Sequence, residues 1–361
     1  MAATIDEIID RKIGEVRTDA LDLSFGEIVN LYSNKELIIQ PEYQRLFRWT
    51  FEQRSRVVES ILLELPIPQI FVIENQSGVI ELIDGLQRVS SVIQFIDPKV
   101  LDLEPLRLIG CDLILDLNGK LYDDLSLTLK LRIKRSSVRT VVIKRQSSSF
   151  LRYEMFKRLN TGGSGLMPQE IRNCTARMLG DDGIHFYEFL QECAGTDHFK
   201  NCTETLSPSD REQKADEELV LRFFATKNAQ DMFHGSVRDW LDDYMESVLL
   251  GKIEFDYAKE FTDFSDVFET LDRAIGAGAF VRYRGEAPVG GLAPAYFEAV
   301  TIGTYRNFPK AMNADPDKFR RAIAETVQTE DFRRATGPGA NSREKLEGRI
   351  ATVQQAIKAT I

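Results

Sequence analysis

Cysteine and histidine are scarce in this sequence, and long hydrophobic runs are absent. The 361 residues include four cysteines (Cys111, Cys174, Cys193 and Cys202) and three histidines. Four scattered cysteines are too few for a disulfide framework in a chain of this length. No apolar run approaches the roughly 20 residues that cross a bilayer, and the acidic start of the chain lacks the pattern of a signal peptide. We therefore expect a cytoplasmic protein that does not enter a membrane.

The composition is that of a folded protein with more than one domain. Apolar residues make up 43% of the chain and charged residues 28%, which is ordinary for globular proteins and argues against wholesale disorder. A chain of 361 residues exceeds what one hydrophobic core usually supports. Two domains are therefore expected.

The charge is segregated along the chain. The formal net charge is −10, yet the segment from Lys130 to Arg158 holds ten basic residues and one acidic residue. Such a block attracts a polyanion, although solvated charge on a strand or helix end is the common alternative. An acidic protein partner is a further alternative. The candidate contacts to DNA or RNA are Lys134, Arg135, Arg139, Lys144 and Arg145.

Local patterns in the first part of the chain alternate between helix and strand. Ser24 and Glu27 form a capping-box pattern before an apolar helical face. The run Leu37 to Ile39 is typical of a short strand, and an apolar helical face begins at Phe51. Two apolar runs, 69–74 and 79–83, are separated by Asn-Gln-Ser-Gly and predict a hairpin.

The remaining patterns place an α/β unit before a helical one. Residues 125–135 fit either a strand or a helix, and residues 138–143 fit a strand. From Phe150 onward the patterns are almost wholly helical, with loops at 285–294 and 337–339. We predict an α+β protein with a mixed α/β domain over residues 1–165 and an all-helical domain over residues 166–361. The predicted helices of the second domain include 168–179, 182–193, 209–225 and a last helix from about residue 341.

The segment Asp84-Gly85-Leu86-Gln87-Arg88 has the chemistry of a phosphate site, because a strand enters it and a helix leaves it. Gly85 permits a tight turn, and the first amides of the following helix favour an anion. Arg88 lies one turn into the helix, where its guanidinium can bind phosphate oxygens. Asp84 suits a cation ligand or a base that polarises water. The competing interpretation is structural, with Asp84 capping the helix.

A second group of residues fits a nucleotide as well. Tyr43-Gln44-Arg45 is followed by Arg48-Trp49, and arginines beside aromatic rings suit a phosphate next to a stacked base. The alternative is that the aromatic side chains belong to the core and the arginines are solvated.

These segments, in this order, resemble the N-terminal domain of GmrSD-type restriction endonucleases. The resemblance rests on Tyr43 to Trp49, on Val57 to Leu62, on Pro66-Ile67-Pro68 and on Leu82 to Arg88. It extends to a second block, with Phe156 to Gly163 and Gln169 to Asn173, and to a closing segment between Ala335 and Ile350.

The resemblance implies a ParB/sulfiredoxin-like fold that binds and hydrolyses a nucleoside triphosphate, with Mg2+ as the candidate ion, and so controls cleavage of phage DNA. Asp84, Gln87 and Arg88 are then the expected catalytic residues, with Gln87 positioning water. The expected nucleotide-binding residues are Tyr43, Gln44, Arg45, Arg48, Trp49 and Gly85, together with Arg158 and Asn160 from the far side of the pocket. For Arg158 and Asn160 the alternative is a polar turn.

Two departures from the family pattern limit this reading. Leu86 stands where the family has glutamine, which leaves binding better supported than hydrolysis. His185, His198 and His234 show no HNH-type spacing, so we expect a separate nuclease subunit to cut DNA. The alternative function is a non-enzymatic DNA-binding or adaptor module. No metal site is predicted, since a zinc site from Cys193, His198 and Cys202 lacks the usual close cysteine pairs.

Overall fold

The computed structural model describes residues 4–5, 17–39, 49–75, 77–147, 155, 158, 167–177, 179–337 and 339–361. The chain divides into two compact units, Met1–Gly165 and Leu166–Ile361. Each unit has its own secondary structure and core. Within the described ranges, no helix combines the length and apolar character needed to cross a membrane.

The first unit is built on a mixed five-stranded sheet. Its strands are β1 (Thr18–Ser24), β2 (Leu37–Ile38), β3 (Ile70–Glu74), β4 (Ile80–Asp84) and β5 (Ser137–Ile143), in the spatial order β1-β5-β3-β4-β2. The β1–β5 and β3–β4 pairs are antiparallel, whereas β5–β3 and β4–β2 are parallel. The predicted hairpin is thus confirmed as β3–β4, at the centre of the sheet.

Four helices accompany this sheet in the described residues. They are α1 (Phe25–Ser33), α2 (Phe51–Leu62), α3 (Leu86–Ile96) and α4 (Leu127–Arg135). The Ser24 hydroxyl accepts a hydrogen bond from the amide of Glu27, as the sequence predicts, and Thr50 forms a full capping box with Gln53. Both α1 and α2 pack against α3, which buries an apolar core between helices and sheet. This core includes Ile28, Val58, Ile61, Val72, Leu82, Val89, Val92 and Ile93.

Two features of this unit do not follow from the sequence alone, namely the conformation of residues 125–135 and the presence of strand β1. The ambiguous segment 125–135 forms helix α4, because the Ser126 hydroxyl caps it at the amide of Leu129. Only Ile133 of α4 is buried, so its alternating leucines do not line a sheet face. Strand β1 was not predicted, since its sequence is polar and mostly exposed, and it forms only by pairing with the distant strand β5.

The second unit is mostly helical. Its helices are α5 (Pro168–Arg177), α6 (Asp181–Gly195), α7 (Asp197–Cys202), α8 (Pro208–Glu212), α9 (Ala215–Asn228), α10 (Val237–Leu249), α11 (Tyr257–Ala274), α12 (Pro294–Tyr305), α13 (Pro316–Thr326), α14 (Glu330–Thr336) and α15 (Arg343–Thr360). The predicted helix 209–225 is divided into α8 and α9, because Lys214 adopts a left-handed conformation with φ of 65°. The mixed α+β class is confirmed.

The expectation that this unit is entirely helical is wrong in one place. Strands β6 (Arg282–Arg284) and β7 (Ala287–Val289) form a two-stranded antiparallel sheet. Its turn and β7 fall within the segment 285–294 that was predicted as a loop, and β6 directly precedes that segment. Gly285 takes a positive φ of 61° at this turn, a conformation that glycine adopts readily.

A chain of alternating acidic and basic side chains runs through the core of the second unit. Arg172 binds Asp242 and Glu218 at 2.7 and 3.1 Å. Arg222 then bridges Glu218 and Glu298, and Arg349 binds the other oxygen of Glu298. Although burial opposes ionisation, Arg222 and Arg172 hold the pKa of Glu218 below its usual value. Because a buried charge is tolerated only when paired, this chain fixes α5, α9, α10, α12 and α15 relative to one another.

Candidate functional site

A left-handed turn at Gly85 joins strand β4 to helix α3. Gly85 has a φ of 96° and is buried. A Cβ atom at this position would lie 2.4 Å from Cγ2 of Ile70 in β3, well inside van der Waals contact. Both the positive φ and the close approach therefore require glycine here. The turn places Asp84 at the end of the strand and the first turn of α3 directly beside it.

The N-cap residue of α3 makes no side-chain hydrogen bond to the first turn of the helix. Gly85 occupies this position and has no side-chain acceptor. The structural alternative assigned Asp84 to this role, but its carboxylate binds the guanidinium of Arg88 instead. The helix dipole and amides at this end thus remain able to attract an anion.

Arg88 is held in place by a single nitrogen. Its Nη2 donates to Oδ2 of Asp84 at 3.1 Å and to the carbonyl oxygen of Gln69 at 3.0 Å. Its Nε is buried without a hydrogen-bond partner, and Nη1 forms no hydrogen bond within the described part of the chain. The side chains of Arg88 and Asp84 are 20% and 29% exposed. A guanidinium with two nitrogens that are not bonded to any described residue, beside a helix start without an N-cap side chain, is suited to an incoming oxyanion.

The chain around Trp49 is anchored to the same motif. The amide of Trp49 donates to Oε1 of Gln87 at 3.1 Å, across 38 residues of sequence. Arg54 fixes the same stretch, since its Nε donates to the carbonyl of Trp49 and its Nη1 donates to Gln94. The predicted second group of residues therefore ends next to the Asp84–Arg88 segment, and Gln87 contributes to that anchoring.

Arg54 and Gln94 were missed by the sequence reasoning, although a signal was present. Gln87, Ser91 and Gln94 follow one another at helical spacing along α3, and Ser91 and Gln94 are buried. Polar residues in this pattern on a mainly apolar helix indicate a hydrogen-bonded edge. Ser91 donates to the carbonyl of Gln87, and Gln94 donates to that of Glu104.

Five of the other predicted nucleotide contacts lie outside the described residues, namely Tyr43, Gln44, Arg45, Arg48 and Asn160. Trp49 is half-buried, and the side chain of Arg158 is exposed.

The basic block is partly neutralised by the sheet that carries it. Arg139 of β5 lies 3.4 Å from Asp22 of the neighbouring strand β1. Lys144 contacts Asp19 of β1 at 3.1 Å and Glu74 of β3 at 3.9 Å. These two cations therefore face carboxylates of their own sheet, which lowers the net positive charge that they offer to a polyanion.

Lys134 and Arg135 differ from these paired residues. They end helix α4, both are exposed, and neither contacts a carboxylate among the described residues. Arg145 is exposed as well. Lys134 and Arg135 thus place two cations without an ion pair to a described carboxylate at the C-terminal end of α4.

Two cysteines of the group considered for zinc lie in the core of the second unit. Cys193 and Cys202 are buried, and burial raises the pKa of both thiols, which disfavours the thiolate form that binds zinc. The Nδ1 atom of His198 lies 2.8 Å from Asp272. No cluster of three such ligands occurs in the ranges that the structure describes.

Residues 25–176 match the family model of the GmrSD restriction endonuclease N-terminal domain. The resemblance that the motifs predicted is confirmed for this stretch, which contains the Gly85 turn, Arg88 and Trp49. The match ends at residue 176, so the similarity expected near residues 335–350 is not part of it. No curated protein matches the chain.

We predict that alanine substitutions at Gly85 and Gly78, which share a left-handed backbone conformation, lower the stability by different amounts. Gly85→Ala and Gly78→Ala both place a side chain at positive φ, 96° and 84°, but nothing lies within 4 Å of the Cβ position at Gly78. We expect a cost of roughly 1–2 kcal/mol for each from the left-handed backbone, and about 1–3 kcal/mol more at Gly85 from overlap with Ile70. Urea unfolding measures both values, and equal losses would contradict this account of the turn.

Proposed function

We propose that the first unit binds a nucleoside triphosphate at the Gly85 turn and hydrolyses it, as the regulatory part of a restriction-type defence system. The match to the restriction endonuclease N-terminal domain supports the general role. The observation that carries the nucleotide is the unpartnered Nε of Arg88 beside the start of α3, where the N-cap residue Gly85 has no side chain.

The phosphates are assigned to the turn itself. Oxyanions bind at helix N termini because the first amides have no partner within the helix and the dipole is favourable. Arg88 adds a guanidinium whose Nε and Nη1, on separate edges of the group, can each donate to a phosphate oxygen. Its existing bond to the carbonyl of Gln69 holds the side chain against the strand while it does so.

Asp84 is assigned to the cation and to water. Mg2+ in nucleotide sites is commonly held by one or two carboxylates together with phosphate oxygens and waters, so the single, partly exposed carboxylate of Asp84 fits this role. Only Oδ2 of Asp84 is bonded to Arg88, which leaves Oδ1 to accept a proton or contact the ion. When bound, the ion would polarise the phosphate being attacked.

Two residues qualify this assignment. Leu86 is half-buried and apolar at the position of a family glutamine, so hydrolysis relies on Asp84 and Gln87 for orienting water. Oε1 of Gln87 accepts a hydrogen bond from the amide of Trp49. A nucleotide base bound near Trp49 would therefore influence the position of the Gln87 side chain through this bond. We assign DNA cleavage to a separate nuclease subunit, whose co-purification with the full chain would test that arrangement.

The proposal predicts Mg2+-dependent release of phosphate from a nucleoside triphosphate. Arg88→Ala and Asp84→Ala should each lower kcat/KM by roughly 100-fold, because each removes a group that stabilises charge in the transition state. Arg88→Lys should recover only part of the loss, since an ammonium lacks the planar fork. The matched control is Arg343→Ala, which also breaks an ion pair between residues four apart and should leave the rate unchanged.

Two results would contradict the proposal. The first is wild-type protein that neither binds nor turns over any nucleoside triphosphate. The second is turnover that survives Arg88→Ala with the same kcat/KM.

A DNA-binding or adaptor role is the second candidate, and the unpaired cations at the end of α4 favour it. Replacing Lys134 and Arg135 with alanine should reduce the salt dependence of DNA binding by about two counterions. The matched pair Arg139→Ala and Lys144→Ala should have a smaller effect, because both residues face carboxylates. Filter binding across a salt series measures the slopes, and salt-independent or absent binding would exclude this role.

A further inference from the structure

The second unit contains a cavity of about 310 Å³ that has no part in the function proposed above. Its lining comes from β6 (Arg282 and Tyr283), from Tyr296 of α12 and from the end of α14 (Arg333, Thr336 and Gly337). The volume lies at the lower end of the range of small-molecule sites.

The two arginines of this cavity have no charged partner among the described residues. Arg282 and Arg333 are exposed, and neither side chain forms an ion pair or hydrogen bond with a described residue. The adjacent Arg334 is instead paired with Glu330 at 3.0 Å. In a chain of net charge −10, two unpaired guanidiniums at one cavity favour an anionic ligand.

The cavity also presents aromatic surface and an unused hydroxyl. Tyr296 packs edge-on against Phe332 with ring centroids 4.9 Å apart, and its hydroxyl makes no hydrogen bond to any described residue. Tyr283 is buried, and its hydroxyl is already committed to the carbonyl of Gly278. One ring therefore offers a polar contact, while the other offers chiefly a fixed apolar face.

Hydrogen bonds from side chains outside the cavity fix the backbone that forms its walls. The amide group of Gln328 makes two hydrogen bonds to the backbone of Gly285, at 2.8 and 3.0 Å, which fixes the β6–β7 turn. Arg349 donates to the carbonyls of Ala335 and Ala340 on either side of Gly337. Since Arg349 is buried and paired with Glu298, the cavity wall rests on the ionic chain of the core and is formed before any ligand arrives.

We propose that this cavity binds a small phosphomonoester, with Arg282 and Arg333 on the phosphate and Tyr296 beside the organic part. A phosphate dianion matches two guanidiniums, whereas a carboxylate would leave one charge uncompensated. The volume accommodates a molecule of roughly mononucleotide size rather than a strand of nucleic acid. The proposal is independent of the nucleotide site of the first unit, because it uses other residues in another unit.

Isothermal titration of the full chain with adenosine 5′-monophosphate, inorganic phosphate and adenosine tests this site. We expect the two phosphate-bearing probes to bind and adenosine to fail. The double variant Arg282→Gln/Arg333→Gln should weaken binding by roughly 100-fold, because two charged contacts are lost. Tyr296→Phe should weaken it by a few-fold, and Arg334→Gln, the matched control on the same helix, should leave it unchanged.

Repeating the titration with Arg88→Ala separates this site from that of the first unit, because the binding assigned here must survive that change. Three results would overturn the proposal: no binding of either phosphate-bearing probe to the wild type, binding that the double variant retains, or binding that disappears in Arg88→Ala. Tighter, arginine-dependent binding of a 5′-phosphorylated oligonucleotide than of the mononucleotide would also overturn it, in favour of a nucleic-acid terminus.

Discussion

The close approach of the Gly85 backbone to Ile70 is the constraint on which the first unit's site depends. A Cβ atom at residue 85 would overlap Ile70, so the left-handed turn brings β4, the start of α3 and strand β3 closer together than any other residue allows. From this turn follow the positions of Asp84 at the strand end and of Arg88 one helical turn later. The carbonyl of Gln69, next to Ile70 in the chain, then holds the guanidinium of Arg88.

The ion pair between Asp84 and Arg88 keeps the site ordered without making it inaccessible to a ligand. A partly exposed pair of this kind contributes only about 0–1 kcal/mol, whereas a charge-assisted hydrogen bond to a ligand is worth roughly 1.5–3 kcal/mol. Under the proposed function, a bound phosphate would therefore compete for Arg88 and release Asp84 for a cation. The hydrogen bond from Trp49 to Gln87 would then link phosphate binding to the chain that precedes α2.

The sequence predicted those features whose causes are local. The β3–β4 hairpin, the Ser24 cap of α1, and the turn and helix after Asp84 all follow from neighbouring residues, and the structure has them. Strand β1 could not be predicted, because Asp19 and Asp22 become sheet residues only through pairing with β5. The same pairing neutralises Arg139 and Lys144, so a count of charges along the sequence overstated the positive surface.

Long-range contacts also explain what local reasoning missed within the site. The bond from Trp49 to Gln87 and that from Arg54 to Gln94 span 38 and 40 residues. In the second unit, Arg172 lies in a segment that resembles the family's second block, yet it is buried and bound to Asp242 and Glu218. Its place in the core ionic chain accounts for its chemistry without a ligand.

The most direct test of the central claim is a structure of the full chain with a non-hydrolysable nucleoside triphosphate and Mg2+. The account predicts phosphate oxygens at the first amides of α3, with Nε and Nη1 of Arg88 bound to them and Asp84 turned toward the ion. A nucleotide bound elsewhere, with Arg88 still bonded only to Asp84 and Gln69, would contradict it.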